Sequence, residues 1–307
     1  FQSALGGGAI AAWTVFAKHS IGYLKLAGFA KGFLDGLNYA TSFLGIQLAG
    51  FTLATKQPSA TAPFIAKALK KSTTESRRSI VALLRTQFIA VLGNLSGVFP
   101  ICLLISLGMM YADVNYMSGK EAIATIHSSD VLGSAPIFAV FTGGLLFVAS
   151  LIAGWFENWI LVNRIDKRIK YNDRLQKYLG AKRMLRFGEF LYEKSNPLAA
   201  NISLGFLLGL IPQVMKFLNI PLEAKHVTLS TGAFASALPY AIEAGISALD
   251  IVHASLGILL IGFLNISVSF SLAFLLASIS SHVKFAAFWR LLKWGVRLIF
   301  TKPWLLI

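Results

Sequence analysis

The chain has 307 residues, 56% of them hydrophobic and only 13% charged, with 24 Phe and 26 Gly; soluble domains carry about 25% charged residues. This excludes an ordinary soluble fold and predicts an all-α, polytopic transmembrane helical bundle. The net charge of +15 does not indicate a nucleic-acid binder, because the cations concentrate in a few loops between apolar runs, the positive-inside pattern. Cys102 is the sole cysteine and lies in an apolar stretch, so there is no disulfide framework and no CxxC pair. The first residue is Phe1 rather than Met, with no basic segment ahead of the first apolar run. That reads as a fragment of a longer chain rather than as a signal peptide.

In chain order, residues 4–16 are apolar over about 13 positions, short of the roughly 20 needed to cross a bilayer. Lys18, Lys25 and Lys31, interleaved with Tyr23, Phe29 and Phe33, then read as an interfacial segment or a tilted continuation of that first span. Residues 38–53 read as a second span, in which Ser42, Gly45 and Ala49 share one face and predict close helix contact. The loop 55–78 sets Lys56, Lys67, Lys70, Lys71, Arg77 and Arg78 against Glu75 alone. Residues 79–111 are longer than one straight crossing, which predicts tilt, a kink near Pro100 or an emergent end. Residues 112–130, with Lys120 against Asp113, Glu121 and Asp130, read as an outside loop. Residues 134–162 return inward and close on Trp155 and Trp159, residues favoured at the interface.

Residues 163–196 form a compact basic block holding ten of the 28 Lys and Arg. It cannot enter hydrocarbon, since each cation costs about 2.5–3.5 kcal/mol at mid-bilayer. Arg164, Arg168, Tyr171 and Leu175 recur there at helical spacing. Residues 198–218 cross outward again. Residues 229–249, interrupted by Pro239, Tyr240 and Glu243, read as either re-entrant or spanning, and a single extra crossing would put the basic C-terminus outside. Residues 251–280 are the clearest span, and Lys284, Arg290, Lys293 and Arg297 among Phe and Trp predict a basic amphipathic helix over 282–302 at the inner surface. The sum is one transmembrane domain over 1–307 with about six spans and inside loops at 55–78 and 163–197.

Polar groups inside spans are the best markers of function, because burying them is costly unless they are paired or solvated. They are Arg85, Asn94, Glu157, Gln213, Glu243 and Asn265. Arg85 and Glu157 fall at similar depth on the same side of consecutive spans, which predicts a buried ion pair. No catalytic, metal or cofactor site is predicted. The five histidines lack HxxH or HxxxH spacing, and Gly6, Gly7 and Gly8 lack the acidic partner of a nucleotide fingerprint and fit tight helix packing instead.

The run GIQLAGFTLATKQPSATAP over 45–63, with ALGGG at 4–8 and LNYATSF at 37–43, resembles a bacterial multi-pass membrane family catalogued as site-specific recombinase. The resemblance is strongest over about the first hundred residues and implies a bacterial inner-membrane protein of which this chain is the C-terminal half. Its loop motif comprises Thr55, Lys56, Gln57, Pro58, Thr61 and Pro63, and Lys56 with Gln57 could contact an ion or phosphate at the inner mouth. The family's description also implies DNA strand exchange. That chemistry needs a nucleophile and several cations around a phosphate, yet none of the residues three after a histidine is Arg, and Tyr171 and Tyr178 fit the face of a surface helix. The residues therefore favour a non-enzymatic transport or envelope-assembly component, with a recombinase whose catalytic residues lie outside the fragment as the alternative. The partners expected are the bilayer and its anionic lipids and an upstream domain of the same chain, with only weak, sequence-blind attraction to DNA.

Overall fold

The computed structural model describes residues 1–53, 73–114, 116–282 and 285–301, and among them the chain is all-helical. The long elements are α1 (Gln2–Gly22), α2 (Gly28–Leu48), α3 (Thr73–Tyr111), α5 (Ala135–Val162), α8 (Ala181–Phe217), α9 (Val227–Glu243) and α10 (Ala248–Ser280). Shorter ones are α4 (Gly119–His127), α6 (Ile165–Lys170), α7 (Asp173–Leu179) and the amphipathic α11 (Phe285–Thr301). The loop motif of residues 55–63 lies outside the described residues.

Four helices are long and apolar enough to cross a membrane: α3 over Arg77–Tyr111, α5, α8 and α10. Six crossings would need α1 and α2 as well. Each has 21 residues and is thus about 31 Å long, but α1 is diluted by glycine and α2 carries Lys31, Asp35 and Asn38.

Glycine fixes how the helices meet. A Cβ on Gly8 would strike the Asn94 carbonyl and one on Gly97 the Leu5 carbonyl, so α1 and α3 run side by side in the same direction at close approach. α2 turns back along α1, with Asn38 Nδ2 donating to Thr14 O at 2.9 Å. Against α8 it packs antiparallel through Gly32, Gly36 and Ala40, which meet Gly209 and Gly205. α8 pairs antiparallel with α5, where Ser203 approaches Ala149, and α5 lies parallel to α10, where Gly143 meets Val268. At one end, α4 starts with a capping box: Glu121 N donates to Ser118 Oγ at 3.3 Å, and Ser118 N donates to Glu121 Oε2 at 3.0 Å. That backbone bond, with the Ser118 hydroxyl, holds the Glu121 carboxyl below its ordinary range. At the other end, Arg77 lies 5.2 Å over the Trp294 ring and seats α11 against α3.

The structure corrects several expectations. The second helix begins at Gly28, ten residues before the expected start, so Lys31 and Asp35 belong to it. The face of Ser42, Gly45 and Ala49 is not the tight one: nothing lies within 4 Å of a Cβ at Gly45, and the close contact is displaced to Gly32 and Gly36. α3 is one continuous helix of 39 residues through Pro100, so at about 58 Å it emerges from a membrane of about 30 Å. The basic block is helical, in line with its spacing, and is divided into three pieces. Arg164 at φ 51 separates α5 from α6, Tyr171 and Asn172 separate α6 from α7, and Gly180 at φ +89 separates α7 from α8, whose first half is residues 181–197.

Candidate functional site

α9 organises the interior. It is rich in Ala, Ser, Thr and Gly, and eleven of its 17 residues are buried, among them Thr228, Ser230, Thr231 and Ser236. Its C-terminal end meets the α4 end of the bundle, where a Cβ on Gly119 would touch Ala244 and the Tyr240 ring lies 6.2 Å from that of Tyr116. Its N-terminal end is deep. Val227 N donates to Asn265 Oδ1 at 3.1 Å, and Asn265 lies about 26 Å along α10 from Ala248. Thr228 Oγ1 donates to Asn94 Oδ1 at 3.4 Å, and Asn94 is at a similar remove from the end of α3. The connection 218–226 therefore descends into the bundle from the end where α8 finishes, and α9 climbs back to that same end. Nine residues suffice for the descent, at about 3.3 Å per extended residue. Relative to the bundle this is re-entrant geometry, which fits one of the two alternatives open in the sequence.

Two buried asparagines hold the re-entrant turn, and both were singled out from sequence. Asn265 is fully enclosed; besides accepting from Val227 N, its Nδ2 donates to Ala139 O at 3.0 Å and to Lys225 O at 3.1 Å. Asn94, equally enclosed, donates to Ala4 O and, at 2.8 Å, to Thr52 O. One amide thus ties α10, α5 and the descending connection together, and the other ties α3, α1, the turn after α2 and α9. Lys225 N adds a bond to Thr142 Oγ1 at 2.7 Å. Irregular backbone inside a bundle is tolerated when its freed groups find protein partners, as Lys225 N, Lys225 O and Val227 N do here.

Beside the turn lies a cavity of about 640 Å³, walled by α1, α2, α8, the connection 218–226 and α9. Its charged lining is Lys18, Lys31, Lys216 and Lys225 against Asp35 and Glu223. Lys31 pairs with Asp35 at 2.9 Å and Lys225 approaches Glu223 at 3.8 Å while donating to Ser128 Oγ at 2.8 Å. Lys18 lies 5.7 Å over the Tyr39 ring and Lys216 stands in the last turn of α8. Both carboxylates are thus engaged by lysines, and the lining keeps a positive excess. Buried His226 closes the floor, its ring 6.4 Å from that of Phe43. Leu208, Leu222, Leu229 and Phe138 supply an apolar wall. The arrangement, concave, part apolar and charged, can bind a small charged molecule.

The other candidate residues disperse. Gln213 is in the cavity wall, against Gly28 and Gly32. Glu243 is exposed at the end of α9 and Arg85 is exposed on α3. The expected Arg85–Glu157 pair does not form: Glu157 accepts from Asn196 Nδ2 at 2.8 Å, on the neighbouring α8. Consecutive spans are not neighbours here: α3 packs on α1 and α9 whereas α5 packs on α8 and α10. Sequence reasoning missed Lys18, Asp35, Lys216, Lys225 and His226 as lining. Only Lys31 and Asp35 carried a signal, a helical i, i+4 charge pair inside an otherwise apolar segment. Among the described residues no group of three or more His, Cys, Asp or Glu could hold a metal ion.

No curated protein and no solved structure matches the chain. The family described as site-specific recombinase matches it over residues 1–307, as the motif around residues 45–63 led us to expect, and the chain belongs to that family.

Proposed function

We propose that the protein is a bacterial inner-membrane transport component working without covalent chemistry, a single transmembrane domain of six crossings with its basic end in the cytoplasm. The observation that carries this is the re-entrant α9, pinned by Asn94 and Asn265 at the floor of a cavity between helices. Broken or half-length helices whose ends meet a cavity at membrane depth are how transporters build solute sites. α1 and α2 count as crossings because they wall that cavity on one side. The inner membrane follows from the positive-inside pattern. At the basic end, α6, α7, the first half of α8 and α11 present their cations to anionic lipid, each worth about 1 kcal/mol near the surface.

The test is flux. Proteoliposomes holding the purified full chain are offered radiolabelled phosphates, organic acids, amino acids and neutral sugars. At least one should enter saturably above protein-free vesicles, and the absence of any such uptake would overturn the reading.

The family description favours a second reading, a membrane-bound recombinase. Its nearest candidates are Tyr171 and Tyr178, exposed among the arginines of the basic end. Gel-shift assays in detergent should show salt-sensitive binding without a preferred sequence. Binding to one DNA site, or cleavage lost in Tyr171→Phe or Tyr178→Phe, would replace the transport reading with this one.

A further inference from the structure

We propose that the cavity beside α9 is a binding site for a phosphate- or carboxylate-bearing molecule that also carries a hydroxyl or ammonium donor. This rests on the transport reading and names its substrate class. Three features set the chemistry. Among the described residues, Lys18 and Lys216 line the cavity with no carboxylate within ion-pair distance, so two positive charges remain for an anion after Lys31 and Lys225 are matched by Asp35 and Glu223. Asp35 is almost fully buried in the same wall; its Oδ2 takes Lys31, while its enclosed Oδ1 has no hydrogen-bond partner among the described residues. A buried carboxylate oxygen left without a donor is costly. A ligand hydroxyl or ammonium would satisfy it while the anionic group of the same molecule meets the lysines. Finally, a volume of about 640 Å³ falls within the range of small-molecule pockets, roughly 300–1,000 Å³, and the apolar wall of Leu208, Leu222 and Leu229 can cover a carbon skeleton.

The same head-group chemistry occurs in a free metabolite and in a phospholipid, and binding measured on the purified full chain in detergent separates them. The probes are glycerol 3-phosphate and phosphoethanolamine as solutes, dioctanoyl phosphatidylethanolamine as the lipid, and glycerol and choline as controls without an anion. One or more of the three phosphates should bind saturably, with an affinity that falls as salt rises, and the controls should not. Binding by the solutes alone assigns a soluble ligand; binding by the lipid alone assigns a head group. Lys216→Gln lies at an exposed helix end and should weaken binding about tenfold, the loss of one charge-assisted contact. Lys18→Gln should do the same, and Lys216→Arg should restore most of the affinity. Asp35→Asn should reduce the preference for phosphoethanolamine over inorganic phosphate. The proposal is overturned if no phosphate binds to protein that elutes as a folded monodisperse peak, if choline binds as well as phosphoethanolamine, or if Lys216→Gln binds like the unaltered protein. Binding without flux in proteoliposomes would sink the transport reading and leave this site standing; uptake of neutral solutes without phosphate binding would do the reverse.

Discussion

Replacing Asn265 by Ala removes the side-chain bonds to Val227 N and Lys225 O and leaves the start of α9 held by the contact of Thr228 with Asn94. Val227 N is the first helical amide and has no partner within its own helix, so losing Asn265 Oδ1, 3.1 Å away, leaves it unsatisfied at a fully buried residue. That alone costs about 1–3 kcal/mol. Lys225 O loses its donor at 3.1 Å and belongs to an irregular segment, whereas Ala139 O lies inside α5 and keeps its helical partner. The total is about 2–4 kcal/mol, adding one further weakened acceptor to the stranded amide. Ser269→Ala is the control: Ser269 is just as buried on the same helix, but its hydroxyl bonds only to Asn265 O and Ile266 O within α10. Its loss should stay below about 1 kcal/mol, in keeping with a neutral local bond. The assay is reversible unfolding in mixed detergent, joined to hydrogen exchange of the amides of residues 227–230. Asn265→Ala should lower stability by the stated amount and speed exchange there more than elsewhere. Equal effects of the two substitutions, or unchanged exchange, would refute the pinning of α9 by Asn265.

The close contact of α2 with α8 predicts that Gly209→Ala, which drives a methyl into the Gly36 backbone, costs about 1–3 kcal/mol by overpacking. Gly45→Ala meets nothing within 4 Å and should be neutral or slightly stabilising in the same unfolding assay. At the capping box of α4, the Glu121 carboxyl is depressed by bonds from Ser118. Its contribution is therefore complete above the ordinary carboxylate pKa and is lost as pH falls through the depressed one. The protection factors of the Glu121 and Ala122 amides, taken relative to intrinsic exchange at each pH, should fall on acidification, and Ser118→Ala should abolish that dependence; an unchanged profile in the variant would exclude the box as its cause.

The four long helices were legible because their cores are uninterrupted apolar runs, most plainly in α10, whose start is also marked by Ser247 accepting from Asp250 N at 3.2 Å. Helix beginnings in water were not. The first half of α8 carries Lys182, Arg183 and Arg186, so hydropathy registers a loop where the backbone is already helical. Asn94 and Asn265 could be found because an amide in hydrocarbon must be bonded, although the partners they chose are tertiary and have no sequence trace. The cavity stayed hidden for a related reason. Lys18 and Lys216 stand near helix ends, where a lysine reads as a snorkelling anchor, and only the descent of residues 218–226 turns them toward a common space.

The central claim, that 218–243 enters the membrane and returns on the side it came from, is tested by thiol accessibility in a Cys102→Ser background. Asn219→Cys lies at the start of the descent and Leu249→Cys just after the return, with Leu132→Cys as a marker of that end and Tyr178→Cys of the basic end; all four positions are exposed. An impermeant maleimide added to intact spheroplasts should label positions 132, 219 and 249, and should reach 178 only after permeabilisation. Labelling of 219 and 249 from opposite sides would make α9 a full crossing and contradict the account.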